Sequence, residues 1–272
     1  MAVLDNNTMP TIVVKYGGAA MQSESLRAEV MADAVALMRS GVRLVVVHGG
    51  GPELSDLQKR LGLETRFVDG LRYTDEATVE AALMALAGKI NKGLVTRIQA
   101  AGGRAVGISG LDGGILLCKK KTEPDLGFVG DVVQVDSALL VVLLDAGFIP
   151  VVSTLGLGED GQVYNVNADT AAGRIAAALG ADKFVVLSDI PGVLRDKEDA
   201  ASVIPVIEAD EIEDLIASGV VAGGMIPKVR SAAEVVASGV AEVLIADGRV
   251  RHALARAAAG ETAENTGTVI RR

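Results

Sequence analysis

Residues 45–53, "VVVHGGGPE", decide the fold, because three valines run into three consecutive glycines and then a proline. The β-branched run reads as a buried strand, and proline suits the first turn of a helix. Between them, glycine removes the Cβ, permits positive φ and lets backbone N–H groups approach an anion at the helix start. A tight turn is the plainer reading of one such glycine. Three in succession at a strand–helix junction point to a ligand loop.

Upstream, residues 11–16, "TIVVKY", form a predicted strand that runs into Gly17-Gly18. From Ser23 or Ser25 as N-cap, Leu26, Val30, Ala34, Leu37 and Met38 recur at helical spacing until Gly41, and a strand over 42–47 follows at once. This β-α-β unit implies a right-handed crossover between parallel strands.

The theme repeats downstream. A helix is predicted over 75–101, with Val79, Leu83, Leu86, Ile90, Leu94 and Ile98 on one face, then a strand over 104–108. Runs 115–121 and 128–135 suggest an antiparallel hairpin around "TEPDLG". Helices 137–146, 168–179, 210–218 and 226–238 interleave with strands 149–153, 184–187 and 241–245. The expectation is a three-layer α/β/α sandwich with one continuous, mainly parallel central sheet. The domain would run over 11–272, with halves at 11–180 and 181–272 and ligands beyond the carboxyl ends of the strands.

Half the 272 residues are hydrophobic, yet Trp is absent and aromatics make up 3%, so Ala, Val, Leu and Ile must build the core. The net charge of -9 and the lack of a basic, aromatic-interleaved stripe argue against nucleic acid as a partner. A lone cysteine, Cys118, excludes an internal disulfide and reads as a half-buried strand residue in a reducing cytosol. The first ten residues lack an export signal, and the apolar run 138–144 is too short for a bilayer. A soluble cytoplasmic protein is expected.

The glycine loop is not a dinucleotide fingerprint, since Leu54 stands where its third glycine belongs. A Walker loop fails too, because Gly88-Lys89 is followed by Ile90, and the protein-kinase H-R-D and D-F-G motifs are missing. Positive charge for a phosphate must then come from elsewhere. Lys15 is one candidate: Val13 and Val14 before it suggest an interior strand, where an isolated ammonium is costly, although an edge-strand surface lysine is the alternative. Lys228 is another, in "VVAGGMIPKV", where Gly223-Gly224 lead into a helix; an ordinary solvated first turn fits equally. In "YNVNAD", 164–169, one polar residue suffices as a cap, and the others are spare.

Taken in order, "VVKYGG", "VVVHGGGPE", "DGLRYTD", "AGKINK", "YNVNADTAA", "LSDIPGVL" and "GGMIPKV" resemble the amino-acid kinase family, over nearly the whole chain. The resemblance implies transfer of the γ-phosphoryl group of MgATP to the γ-carboxylate of N-acetyl-L-glutamate, with a carbamate kinase-like fold. It implies that Lys15 and Lys228 stabilise the transferring group and that Asp169 holds both ammoniums. Gly17, Gly18 and Gly50 would donate N–H bonds to phosphate, Gly50 and Gly51 would line the acyl amino acid pocket, Arg72 would pair with its α-carboxylate, and Asn165 would hydrogen-bond it.

The nucleotide would lie over Ser188, Asp189, Gly192, Val193, Gly223, Gly224 and Met225. No protein metal ligand is expected, Mg²⁺ being held by phosphates and water. Too few residues precede the first strand for the extra helix of arginine-inhibited hexamers, and Ala257 replaces their acidic residue five positions after His252. A homodimer with weak or absent arginine feedback is therefore expected, and docking of a nitrogen-signalling protein stays open. A kinase of N-acetylated or carrier-linked 2-aminoadipate, or a non-catalytic nucleotide-binding regulator, is the competing reading.

Overall fold

A computed structural model describes residues 9–272 apart from 22, 69, 200 and 261–266; residues 1–8, read above for an export signal, lie outside them. The chain opens with β1 (Thr11–Tyr16), α1 (Glu24–Arg39), β2 (Arg43–His48) and α2 (Gly51–Leu61). Ser23 is the N-cap of α1, its side chain accepting from Leu26 N. A small hairpin follows, β3 (Phe67–Val68) and β4 (Leu71–Arg72). Next, α3 (Glu76–Ala82) continues without a break through a π-helical stretch, Leu83–Ile90, into α4 (Asn91–Ala100).

Then come β5 (Ala105–Ser109), β6 (Leu116–Thr122), β7 (Asp125–Val135), α5 (Ala138–Asp145), β8 (Ile149–Ser153), β9 (Leu155–Gly158), β10 (Val163–Asn165) and α6 (Ala168–Ala178). The remainder holds β11 (Lys183–Ser188), β12 (Val206–Glu208), α7 (Ile212–Ala217), α8 (Met225–Ala237), β13 (Glu242–Asp247), α9 (Ala253–Ala259) and β14 (Thr268–Arg271).

Eight strands form the central sheet in the order β12-β14-β13-β11-β1-β2-β8-β5. β1 is therefore the seam: strands later in the chain extend the sheet on one side of it and earlier ones on the other. Both of its neighbours, β2 and β11, pair with it in parallel. Strand periodicity divides the core. Ile12, Val14, Val46, Val185 and Leu187 face one apolar layer, with helices α1, α4 and α9, while Val13, Val45, Val47, Phe184 and Val186 face the other, with α5, α6 and α8.

Three features differ from the sequence expectation. The β6–β7 hairpin forms, but with β9 and β10 it closes into a separate four-stranded barrel instead of joining the sheet. β9, β10 and the β3–β4 hairpin, which were not expected, are strands of two to four residues that offer little apolar alternation to read. In the long helical span, the π turns shift the register, so Leu83 is 41% exposed while Ala85, Leu86 and Ile90 turn inward.

Gly173 lets α6 and α8 approach closely, since a Cβ there would sit 2.6 Å from Val235 Cγ2. Val235 is buried and cannot swing aside. Gly173→Val is expected to lower unfolding free energy by about 2 kcal/mol or more in urea denaturation; an unchanged midpoint would show that the helices can separate freely.

Candidate active site

Lys15 stands two residues after Val13 on β1, so it projects to the same face of the sheet, toward α6. There Asp169 occupies the first turn of α6, behind the N-cap Asn167, whose side chain accepts from Thr170 N at 3.0 Å. Lys15 Nζ lies 3.0 Å from Asp169 Oδ1, and Lys228 Nζ lies 3.2 Å from Asp169 Oδ2. One carboxylate thus bridges two ammoniums. Burial alone would raise the Asp169 carboxyl, but the charges of Lys15 and Lys228 outweigh it and hold the group below its ordinary value.

Lys228 is placed against local preference. It sits in the first turn of α8, where the helix dipole disfavours a cation by roughly 0.3–1 kcal/mol. Asp169 offsets that penalty. Gly17 passes close to the ammonium, its Cβ position being 3.1 Å from Lys15 Nζ.

The glycine loop forms the floor of a cavity of about 180 Å³ beside this cluster. Gly50 cannot carry a side chain, since its Cβ would overlap Ile90 Cδ1 and sit 2.9 Å from Leu86 Cδ2, both on the π-helical stretch. Gly49 abuts Ala168, the residue before Asp169. Gly51 starts α2, so its end of the cavity meets the unpaired N–H groups of a helix N-terminus.

Arg72, at the end of β4, reaches into the cavity wall and is 9% exposed. Burial lowers its guanidinium from the ordinary value, yet among the described residues none of its partners is a carboxylate: it donates to Gly51 O (2.9 Å), Ser55 Oγ (2.8 Å) and Gln58 Oε1. Asn165 also lines the cavity and donates to Thr74 Oγ1 at 3.3 Å, and Thr74 donates in turn to Arg72 O. The chain's three tyrosines, Tyr16, Tyr73 and Tyr164, directly adjoin Lys15, Arg72 and Asn165.

The residues expected to hold a nucleotide divide into two groups. Gly18, at φ 69°, lies against Asp189, with its Cβ position 3.8 Å from Asp189 N, so these two loops are brought together. Gly223 and Gly224 are open and exposed before α8, and Met225 begins that helix half-buried. In contrast, Ser188 and Val193 are buried, and Val193 N donates to Thr268 Oγ1 at 2.7 Å. The bare Cα of Gly192 is explained by the same Thr268, whose Oγ1 would be 2.7 Å from a Cβ.

His48 and Asn91 were not singled out in the sequence. His48 is fully buried at the end of β2; its Nδ1 lies 2.8 Å from Gly49 O, and Asn91 Nδ2 lies 3.1 Å from its Nε2. Asn91 also donates to Ile108 O and Val151 O, tying β5 and β8 to the glycine loop. An Nδ1–H tautomer satisfies both ring contacts, whereas a second ring proton would oppose the Asn91 amide. Burial, only partly offset by the Gly49 hydrogen bond, pushes the imidazole down to about 4.

Since that value lies below the unfolded 6.5, the stability contributed by neutral His48 is complete above pH 6.5 and is lost as pH falls toward 4. Unfolding free energy measured in urea is expected to drop by about 2 kcal/mol from this group between pH 7 and pH 5. His48→Asn should remove that component. The same slope in wild type and variant would refute the assignment.

Residues 10–247 match the model of the amino acid kinase family. The acetylglutamate kinase of Heliobacterium modesticaldum is 48% identical over 255 residues, covering 90% of this chain and 86% of its own. The structure of N-acetylglutamate synthase from Neisseria gonorrhoeae, complexed with coenzyme A and N-acetyl-glutamate, superposes with a TM-score of 0.83 at 25% identity. It matches 98% of this chain, which spans 61% of that longer one. Giardia carbamate kinase shares the fold at a TM-score of 0.71 and 16% identity, over 97% of this chain and 99% of its own. The two lysines on one aspartate and the glycine-floored cavity beside them therefore sit in a chain that belongs to the amino acid kinase family.

Proposed function

We propose that this chain transfers the γ-phosphoryl group of ATP to the γ-carboxylate of N-acetyl-L-glutamate, giving N-acetyl-L-glutamyl 5-phosphate, the second step of arginine biosynthesis. One observation carries the reading: Asp169 bridges one ammonium from the seam strand and one from the start of α8, beside a cavity whose wall holds a buried guanidinium with no carboxylate partner among the described residues. Such a site suits two anions that must be pressed together. The similarity to acetylglutamate kinases supports the choice of acceptor.

In the reaction a γ-carboxylate oxygen forms a bond to the γ-phosphorus as the bond to the bridging oxygen breaks, and ADP leaves with that electron pair. No proton needs to move, so positioning and charge stabilisation carry the catalysis. Lys15 and Lys228 neutralise charge on the transferring oxygens, and Asp169 keeps both ammoniums in place. Arg72 and Asn165 hold the acyl amino acid over Gly50 and Gly51. Gly17, Gly18, Asp189, Gly223, Gly224 and Met225 line the nucleotide side, which Ser188, Gly192 and Val193 support from within. Any Mg²⁺ would be held by phosphate oxygens and water and would supply charge neutralisation there, Asp169 being engaged by both lysines.

Incubation with ATP and N-acetyl-L-glutamate, trapped with hydroxylamine, should yield the hydroxamate, with less from N-acetyl-2-aminoadipate and from glutamate. Absence of trapped product would falsify the assignment. Lys15→Ala and Lys228→Ala should each lower kcat about 100-fold or more with small changes in KM, as should Asp169→Asn. Normal turnover in any of the three removes that residue's role. The reading includes a homodimer, which follows from the family resemblance. Light scattering should then give about twice the 27.9 kDa chain mass.

A further inference from the structure

Gln58 looks, in sequence, like one more polar residue on an amphipathic helix, "ELSDLQKRLG". The fold buries it completely. Its amide is also fully satisfied: Oε1 accepts from Arg72 Nη1 and from Thr65 Oγ1 (3.2 Å), and Nε2 donates to Glu64 O (3.1 Å) and Thr78 Oγ1 (3.0 Å). The pattern fixes the amide orientation, because reversal would turn an NH₂ group against a guanidinium.

Arg72 is a buried cation whose partners among the described residues are all uncharged: a glutamine, a serine and a backbone carbonyl, with the Phe67 ring 4.8 Å beneath it. Among the described residues, acidic side chains lie close in sequence, Glu53, Asp56, Glu64 and Asp75, yet none pairs with it. A buried ammonium or guanidinium normally recruits a carboxylate, and one that does not keeps its field for a ligand. Gln58 also ties Arg72 to the loop that leads into the β3–β4 hairpin, through Glu64 O and Thr65.

We propose that Gln58 is a positioning residue that holds the Arg72 guanidinium by an uncharged acceptor, so that its charge stays available to a carboxylate of the acyl amino acid. The inference rests on the proposed function. It makes an unusual demand on substitution: glutamate, the closest in shape and the better partner for arginine, is the worse replacement, because it supplies the negative charge that the substrate must supply.

The test compares Gln58→Glu and Gln58→Met in the hydroxylamine assay, with KM measured separately for each substrate. Gln58→Met is expected to raise KM for N-acetyl-L-glutamate severalfold, and Gln58→Glu by about tenfold or more. KM for ATP and the saturated kcat should stay within about threefold in both, which a general loss of structure would not give. Should Gln58→Glu fail to fold, Gln58→Met decides alone, and an unchanged KM for the acyl amino acid overturns the proposal. So does a Gln58→Met variant impaired as much as Gln58→Glu. No turnover by the unaltered protein overturns the function and this inference with it, whereas turnover with unchanged KM in the variants overturns only the inference.

Discussion

Two ammoniums within reach of one carboxylate would repel each other without it, and the rest of the molecule is arranged around that constraint. Lys15 comes from the seam strand, Lys228 from the start of α8, and Asp169 from the start of α6. A helix N-terminus welcomes the aspartate and resists the lysine, so the pair is stable only if α6 and α8 are held close. Gly173 permits that approach, and the valines around Lys15 on β1, β2 and β11 deny its ammonium any other anion.

Away from this centre the charges follow a different rule. Surface cations are paired with nearby carboxylates, as Arg97 is with Glu24 and Arg230 with Glu213. Inside the site, Arg72 is held by neutral acceptors and His48 is kept uncharged by burial. With two lysines and Arg72 against Asp169, the site is locally cationic in a chain whose net charge is -9. Such a contrast focuses the field where anions must arrive.

How much of this could be read from the sequence depends on whether the signal was periodic. The β1–α1–β2 unit was legible because valine runs, helical spacing and glycine stops all agreed. Lys15 stood out from its valine neighbours, and Asp169 and Lys228 from their helix starts. Arg72 came only through the family resemblance, since nothing local distinguishes an arginine in a two-residue strand; Asn165 stood out as a spare polar residue in "YNVNAD", and only its role came from the resemblance. The β6–β7 hairpin was legible, but its closure into a barrel was not, because β9 and β10, which complete it, are only four and three residues long. Leu83 was assigned to the wrong face because a π turn changes helical spacing without a sequence mark. Gln58 and Asn91 were missed for a shared reason: a buried amide in a helix is spelled like an exposed one, and only its partners reveal it.

The absence of tryptophan, noted first as a property of the core, has an optical consequence. Near-ultraviolet emission from this protein comes from tyrosine alone, and the three tyrosines follow Lys15, follow Arg72 and precede Asn165. Arg66 already stacks on Tyr73, 4.2 Å from its ring centroid, and Tyr164 donates to Asp160. None of the three rings lines the cavity itself, and Tyr16 and Tyr164 point to the strand faces opposite Lys15 and Asn165, so tyrosine emission reports the packing behind the site rather than what enters it.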